Sequence, residues 1–183
     1  MKFAPALALA ALAAATTPAA ADSARWEGFT FGASFSAARV SGGGTGGSTR
    51  PTYGLSGGYN WALSETAIVG VSANMTTLGG SGGGGGGPNI RRAADLRLTA
   101  GYAMDAGMIY ASVGAAQGRF GSSSTNHDGT VVAVGFQQSL SDNLSFRFEY
   151  AFHRFEPGGG GGPGPGTGNP QTQSLTVGLV FTH

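Results

Sequence analysis

The feature that most constrains this chain is a strict two-residue alternation that recurs eight times along it. In its first instance Phe29, Phe31, Ala33, Phe35 and Ala37 alternate with Thr30, Gly32, Ser34 and Ser36. A period of two puts one set on each face of an extended strand, whereas a helix would scatter both sets around its axis. The pattern returns with Tyr53, Leu55, Tyr59 and Trp61, with Ala67, Val69, Val71, Ala73 and Met75, and with Ala94, Leu96, Leu98, Ala100 and Tyr102. Further along come Ile109, Ala111, Val113 and Ala115, then Val132, Val134 and Phe136, then Leu144, Phe146, Phe148, Tyr150 and Phe152. Leu175, Val177, Leu179 and Phe181 make the last set. Each predicted strand has roughly nine to eleven residues, the length a tilted strand needs to cross a bilayer.

The residues between the apolar ones decide which way the strands face. They are mostly Gly, Ser, Thr and Asn, with charge at Asp95, Arg97, Arg147 and Glu149. A soluble sandwich or lipocalin-like barrel turns its apolar face inward and needs a charged outer face. Charged residues are only 10% of this chain, against about 25% in an ordinary soluble domain. Small uncharged side chains, with glycine supplying 35 of 183 residues, suit the cramped lumen of an eight-stranded barrel whose apolar face meets lipid.

The connections alternate as well. Segments 41–49, 78–90, 118–128 and 156–171 are long, and 63–66, 105–107 and 141–143 are short. Tight periplasmic turns and longer outer loops have this rhythm, and an even strand number returns both ends to the short-turn side. Phe29, Trp61, Tyr102, Phe146 and Phe181 fall near one rim and Tyr53, Phe152 and Phe155 near the other, as interfacial girdles do. The predicted fold is therefore all-β, an eight-stranded antiparallel up-and-down transmembrane β-barrel.

A leader is predicted at 1–21, ahead of a barrel domain at 22–183. Met1 and Lys2 precede an apolar run at 4–15, and Ala19, Ala20 and Ala21 supply small residues before a cut at Asp22. Sec-type export to the outer membrane is the expected route. Without Lys2, nine arginines balance nine acidic residues, and a neutral chain argues against a nucleic-acid binder. The absence of cysteine excludes a disulfide framework and thiol zinc sites. The glycine runs at 82–87 and 158–168 receive no assigned structure, and lacking a strand–helix context they are not phosphate loops.

Three segments carry a family resemblance. Trp26-Glu27-Gly28-Phe29-Thr30-Phe31-Gly32-Ala33 resembles an opening strand. Leu140-Ser141-Asp142-Asn143-Leu144-Ser145-Phe146-Arg147-Phe148-Glu149-Tyr150 resembles a turn and seventh strand, and Leu175 to Phe181 a closing strand. In these the chain resembles the small eight-stranded outer-membrane barrels of Gram-negative bacteria, the OmpA membrane domain and the Opacity-like alphaproteobacterial surface proteins. The resemblance implies a last strand, here Leu175, Val177, Leu179 and Phe181, that is read by the barrel-assembly machinery. Family members usually end in Phe, whereas this chain ends Phe181-Thr182-His183.

Two sets of residues are candidates for function. Asp95, Arg97, Arg147 and Glu149 share the inward parity and are expected to pair as a lumen plug, because isolated charges in a dry lumen are costly. Arg39, Arg50, Arg91, Arg92, Arg119 and Arg154 fall at the outer strand ends, opposed there by Asp128 and Glu156. The periplasmic end has Asp22, Glu27, Glu65, Asp105 and Asp142 against Arg25. The outer arginines are expected to engage lipopolysaccharide phosphates. His127, His153 and His183 are scattered, so no metal, cofactor or catalytic set is expected. Glu149 and His153 lie four residues apart on one strand, roughly 13 Å, too far for direct contact. The predicted role is structural, in envelope integrity. The alternative is a surface receptor or adhesin for a host, haem or nutrient ligand, although loops of Gly, Ser, Thr and Pro lack the aromatic and arginine anchors of binding surfaces.

Overall fold

In the computed structural model the described residues are 23–42, 45–78, 90–120, 126–156 and 171–183. The expected leader at 1–21 and the glycine runs at 82–87 and 158–168 lie outside them. A short 3-10 helix, Ser23–Trp26, leads into eight strands: β1 (Gly28–Gly42), β2 (Thr45–Ala62), β3 (Ala67–Leu78), β4 (Ile90–Ala103), β5 (Gly107–Phe120), β6 (Asn126–Ser139), β7 (Leu144–Phe155) and β8 (Gln171–Thr182). Each strand pairs antiparallel with the next, and β8 pairs with β1 to close the barrel.

The alternation sorts as expected. Leu55 is 69% exposed and Leu98 66% exposed on the outside, values that only a lipid-facing surface makes reasonable for such side chains. Thr30, Ser36, Thr52, Ser112 and Thr182 are buried on the inside. The lumen also contains two apolar clusters. One, at the end with the short turns, joins Trp26, Ile68, Ala103, Met108 and Tyr110. The other, in the half with the long connections, joins Val40, Ala116, Val131, Ala133, Ala151 and Phe155.

Two expectations change. The strands run from 12 to 18 residues, longer than the apolar alternation indicates. Arg39 pairs with Thr49, Val40 with Ser48 and Gly42 with Thr45, so most of segment 41–49 is ladder rather than loop. Likewise Gln117 pairs with Asp128, Gly118 with His127 and Arg119 with Asn126. Alternation marks where a strand touches lipid, but pairing needs only backbone N–H and C=O groups and continues into water. The second change concerns Trp26. It sits in the 3-10 helix rather than the first strand and tucks its ring into the turn-end mouth. Ser23 Oγ donates to the Ser64 carbonyl at 2.6 Å, and Asn60 Nδ2 donates to the Trp26 carbonyl at 3.1 Å, tying this segment across the opening.

The turn end of the β8–β1 seam needs a glycine at 28. Phe29 and His183 exchange backbone hydrogen bonds, each at 2.9 Å. Beside them Gly28 has φ of 124°, and a Cβ there would collide with the His183 carbonyl. Gly28→Ala is expected to destabilise the barrel by about 1–3 kcal/mol in urea unfolding from lipid vesicles. Gly57→Ala, whose added carbon meets nothing nearer than 3.9 Å, is expected to leave stability unchanged.

Candidate functional site

The lumen charges converge from strands on opposite sides of the barrel. On β4 the outward parity of Ala94, Leu96 and Leu98 sends Asp95 and Arg97 inward, where both are buried. On β7 the outward set Phe146, Phe148, Tyr150 sends Arg147, Glu149 and His153 inward. Arg97 is the hub. Its Nε donates to Asp95 Oδ1 at 2.6 Å and its Nη2 to Oδ2 at 3.0 Å. Its Nη1 crosses the lumen to Glu149 Oε1 at 2.7 Å. Asn74 Nδ2 donates to Asp95 Oδ1 at 2.8 Å, His153 Nε2 lies 3.3 Å from Asp95 Oδ2, and the Tyr110 hydroxyl donates to Glu149 Oε2 at 2.8 Å. All four carboxylate oxygens therefore have a partner.

Arg147 does not pair with Glu149, although the sequence grouped them. Arg97 and Tyr110 already occupy both Glu149 oxygens, and the Arg147 guanidinium lies over the Tyr110 ring, 5.9 Å from its centroid. Its Nε is buried without a hydrogen-bond partner among the described residues. Tyr110 was missed as a site residue, although its parity with Ser112 marks it as inward. Gly135, its direct partner on β6, lets the ring lie flat across the backbone, since a Cβ at Gly135 would strike the phenol. Scatter among the three histidines makes His153 look incidental, and its distance to Glu149 along β7 argues only against a catalytic pair. It reaches instead across the lumen to β4, which spacing along a single strand does not limit.

Two cavities flank this cluster. One of about 70 Å³ lies on the loop side, with Ser36, Thr52, His153, Thr172 and Thr176 in its wall. The other, about 30 Å³, lies on the turn side between Thr30, Asn60, Tyr110 and Gln137. Asn74, Arg97, Arg147 and Glu149 belong to both walls and separate the two spaces. The buried Nδ1 of His153 and Oγ1 of Thr172, cross-strand neighbours on β7 and β8, have no hydrogen-bond partner among the described residues.

Outside, the apolar band ends at the loop side on Ala37, Met75, Ala94, Ala115, Val132, Phe152 and Leu175. The next outward positions include Arg39, Arg92, Gln117 and Arg154. Arg39, Arg92, Arg119 and Arg154 are exposed. Arg92 and Arg119 stand directly opposite each other on β4 and β5, and Arg119 Nε donates to Asn126 Oδ1 at 3.2 Å. Arg50 does not join them: it shares the inward parity of Thr52 and is half-buried. The Arg91 side chain lies outside the described residues. On β8 Leu175, Val177, Leu179 and Phe181 all face outward and are exposed.

Comparison with known proteins agrees with this geometry. The Neisserial surface protein A superposes with a TM-score of 0.56 at 15% identity, covering 85% of this chain and 97% of that one. Ail, the attachment invasion locus protein of Yersinia pestis, superposes with a TM-score of 0.55 at 15% identity, covering 86% and 99%. At such identities the likeness is one of fold. No curated protein sequence matches the chain. The family described as outer membrane protein beta-barrel domain matches residues 7–182, nearly the whole length. The chain belongs to that family, the small closed barrels of the Gram-negative outer membrane.

Proposed function

We propose that the protein is a structural, non-enzymatic component of the outer membrane whose loop-end arginine border grips the phosphates of lipopolysaccharide. The Arg92–Arg119 pair carries this reading. Two exposed guanidinium groups directly opposite each other on neighbouring strands repel, and an anion between them turns that cost into a gain. Phosphate accepts hydrogen bonds from both forks, and arginine keeps its charge at any relevant pH. Arg39 and Arg154 extend the border onto β1 and β7 at the edge of the apolar band. The non-enzymatic part rests on the lumen, where every oxygen of Asp95 and Glu149 is engaged, so neither carboxylate is free to act as a base.

The test is thermal unfolding in detergent with and without added lipopolysaccharide. Replacing Arg39, Arg92, Arg119 and Arg154 together with Gln is expected to abolish the lipopolysaccharide-induced rise in Tm. It should leave the Tm without lipopolysaccharide nearly unchanged, since the four side chains are exposed. An equal rise in wild type and quadruple variant would refute the border.

The receptor or adhesin reading draws support from the paired extensions of β5 and β6 beyond the apolar band. There Gln117, Asn126 and Asp128 form an exposed hydrogen-bonded strip beside Arg119. Ail has been solved in complex with the heparin analogue sucrose octasulfate. Binding of that polyanion by wild type and not by the quadruple variant, with no response to lipopolysaccharide in either, would favour this reading.

Assembly rests on β8. Its outward Leu175, Val177, Leu179 and Phe181 form the signal recognised by the barrel-assembly machinery, with Phe181 standing in for a terminal aromatic. Phe181→Ala is expected to lower the amount of inserted barrel more than His183→Ala, measured by the heat-dependent gel mobility of membrane fractions. Equal losses would remove Phe181 from that role.

A further inference from the structure

Arg97 takes both carboxylates of the cluster, leaving Arg147 without a counter-ion contact among the described residues. The central cluster holds two acids and two arginines, Asp95, Glu149, Arg97 and Arg147, so a neutral arrangement with one partner each was available. Asp95 and Glu149 instead both bind Arg97. Arg147 has only the face of Tyr110, and its buried Nε is unbonded among the described residues. Desolvating part of a guanidinium without a paired anion is unfavourable, and the face of an aromatic ring offsets only part of that.

The surroundings favour a small guest of negative charge. Arg147 borders both cavities, of about 70 and 30 Å³. A water needs roughly 10–15 Å³ by this measure, so the larger space accommodates a few water-sized bodies. Its wall includes hydroxyl groups such as Ser174 and Thr172, the latter without a partner among the described residues, which can turn their protons toward an acceptor. A cation is disfavoured, because every carboxylate oxygen nearby already accepts a hydrogen bond.

We propose that the lumen binds a small monovalent anion, a halide or a one- or two-carbon carboxylate, beside the Arg147 guanidinium in the loop-side cavity that Arg147 lines. The site is independent of the outer arginine border and lies on the opposite side of the barrel wall. Its occupant supplies Arg147 with the counter-ion contact that Arg97 takes from it.

The experiment uses the full mature barrel in detergent at low ionic strength, with bulky gluconate as the only starting anion. The Nε–H signal of Arg147 is assigned by its loss in Arg147→Lys and followed by NMR during titration with bromide, acetate or more gluconate. Saturable shifts with bromide and acetate but not with gluconate are expected. Crystals grown in bromide should place an anomalous peak in hydrogen-bond contact with Arg147. In parallel, the Tm of wild type should rise when bromide replaces gluconate, and that rise should vanish in Arg147→Gln, whose Tm in gluconate should at least equal that of wild type. A non-saturating response common to all three anions, or bromide crystals with water alone at Arg147, would overturn the proposal.

Discussion

Arg97→Met is expected to lower the unfolding free energy of the barrel by about 3–5 kcal/mol or more, the largest effect of any single substitution in the lumen. The methionine fills much of the same volume, so the loss comes from electrostatics. Asp95 loses two bonds and Glu149 one, stranding two buried carboxylates. Asn74, His153 and Tyr110 remain as partners, but none carries the permanent charge that two carboxylates require. The triple replacement Asp95→Asn, Arg97→Met, Glu149→Gln should recover most of the loss, because an interior without the ions has no charge to strand. Arg147→Met is the contrast. It removes a contact to Tyr110 and no ion pair, and is expected to cost less than about 2 kcal/mol. Equilibrium urea unfolding in lipid vesicles measures all three. An Arg147 effect as large as that of Arg97 would mean that Arg147 is an ion-pair partner after all.

That contrast also marks how far the sequence could be read. Parity along a strand assigns a face, so the inward set Asp95, Arg97, Arg147 and Glu149 and the outward set on β8 were legible directly. Parity does not say which inward side chains meet. The Arg97–Glu149 contact joins β4 to β7, which are not neighbours in the sheet, and it depends on barrel tilt and on side-chain reach across the lumen. For the same reason His153 looked isolated. Tyr110 was hidden differently: its strand reads Ile109, Tyr110, Ala111, and an aromatic residue draws the eye to the lipid face unless parity is applied strictly. Trp26 was illegible as a plug because it precedes the first strand and no periodicity covers a four-residue 3-10 helix. The strand ends beyond the bilayer left no apolar mark at all, since Gly, Ser and Thr can pair in a ladder without choosing a face.

An all-or-none labelling pattern is expected for the orientation of the barrel. The chain has no cysteine, so a single introduced thiol reports without background. Thr49→Cys and Glu156→Cys are both exposed at the loop end and should react nearly completely with a membrane-impermeant thiol reagent on intact cells. Ser64→Cys and Ser141→Cys, exposed at the turn end, should react only after the outer membrane is permeabilised. The first and last described residues support this direction: Ser23 is bonded to the 64–65 turn, and His183 closes the seam at the same end. A barrel inserted from the periplasm leaves its ends and short turns on that side. Charge agrees, because exposed Glu27, Glu65, Asp105 and Asp142 cluster with Arg25 at the turn end, while the exposed arginines border the other. In the outer leaflet those arginines would face lipopolysaccharide phosphates, as proposed; in the opposite orientation the same border would lie in the inner leaflet, away from them. Reversed labelling would therefore remove both the orientation and the proposed lipopolysaccharide contact. It would leave the Arg97 ion pairs and the Arg147 anion site untouched, since neither depends on which end faces out.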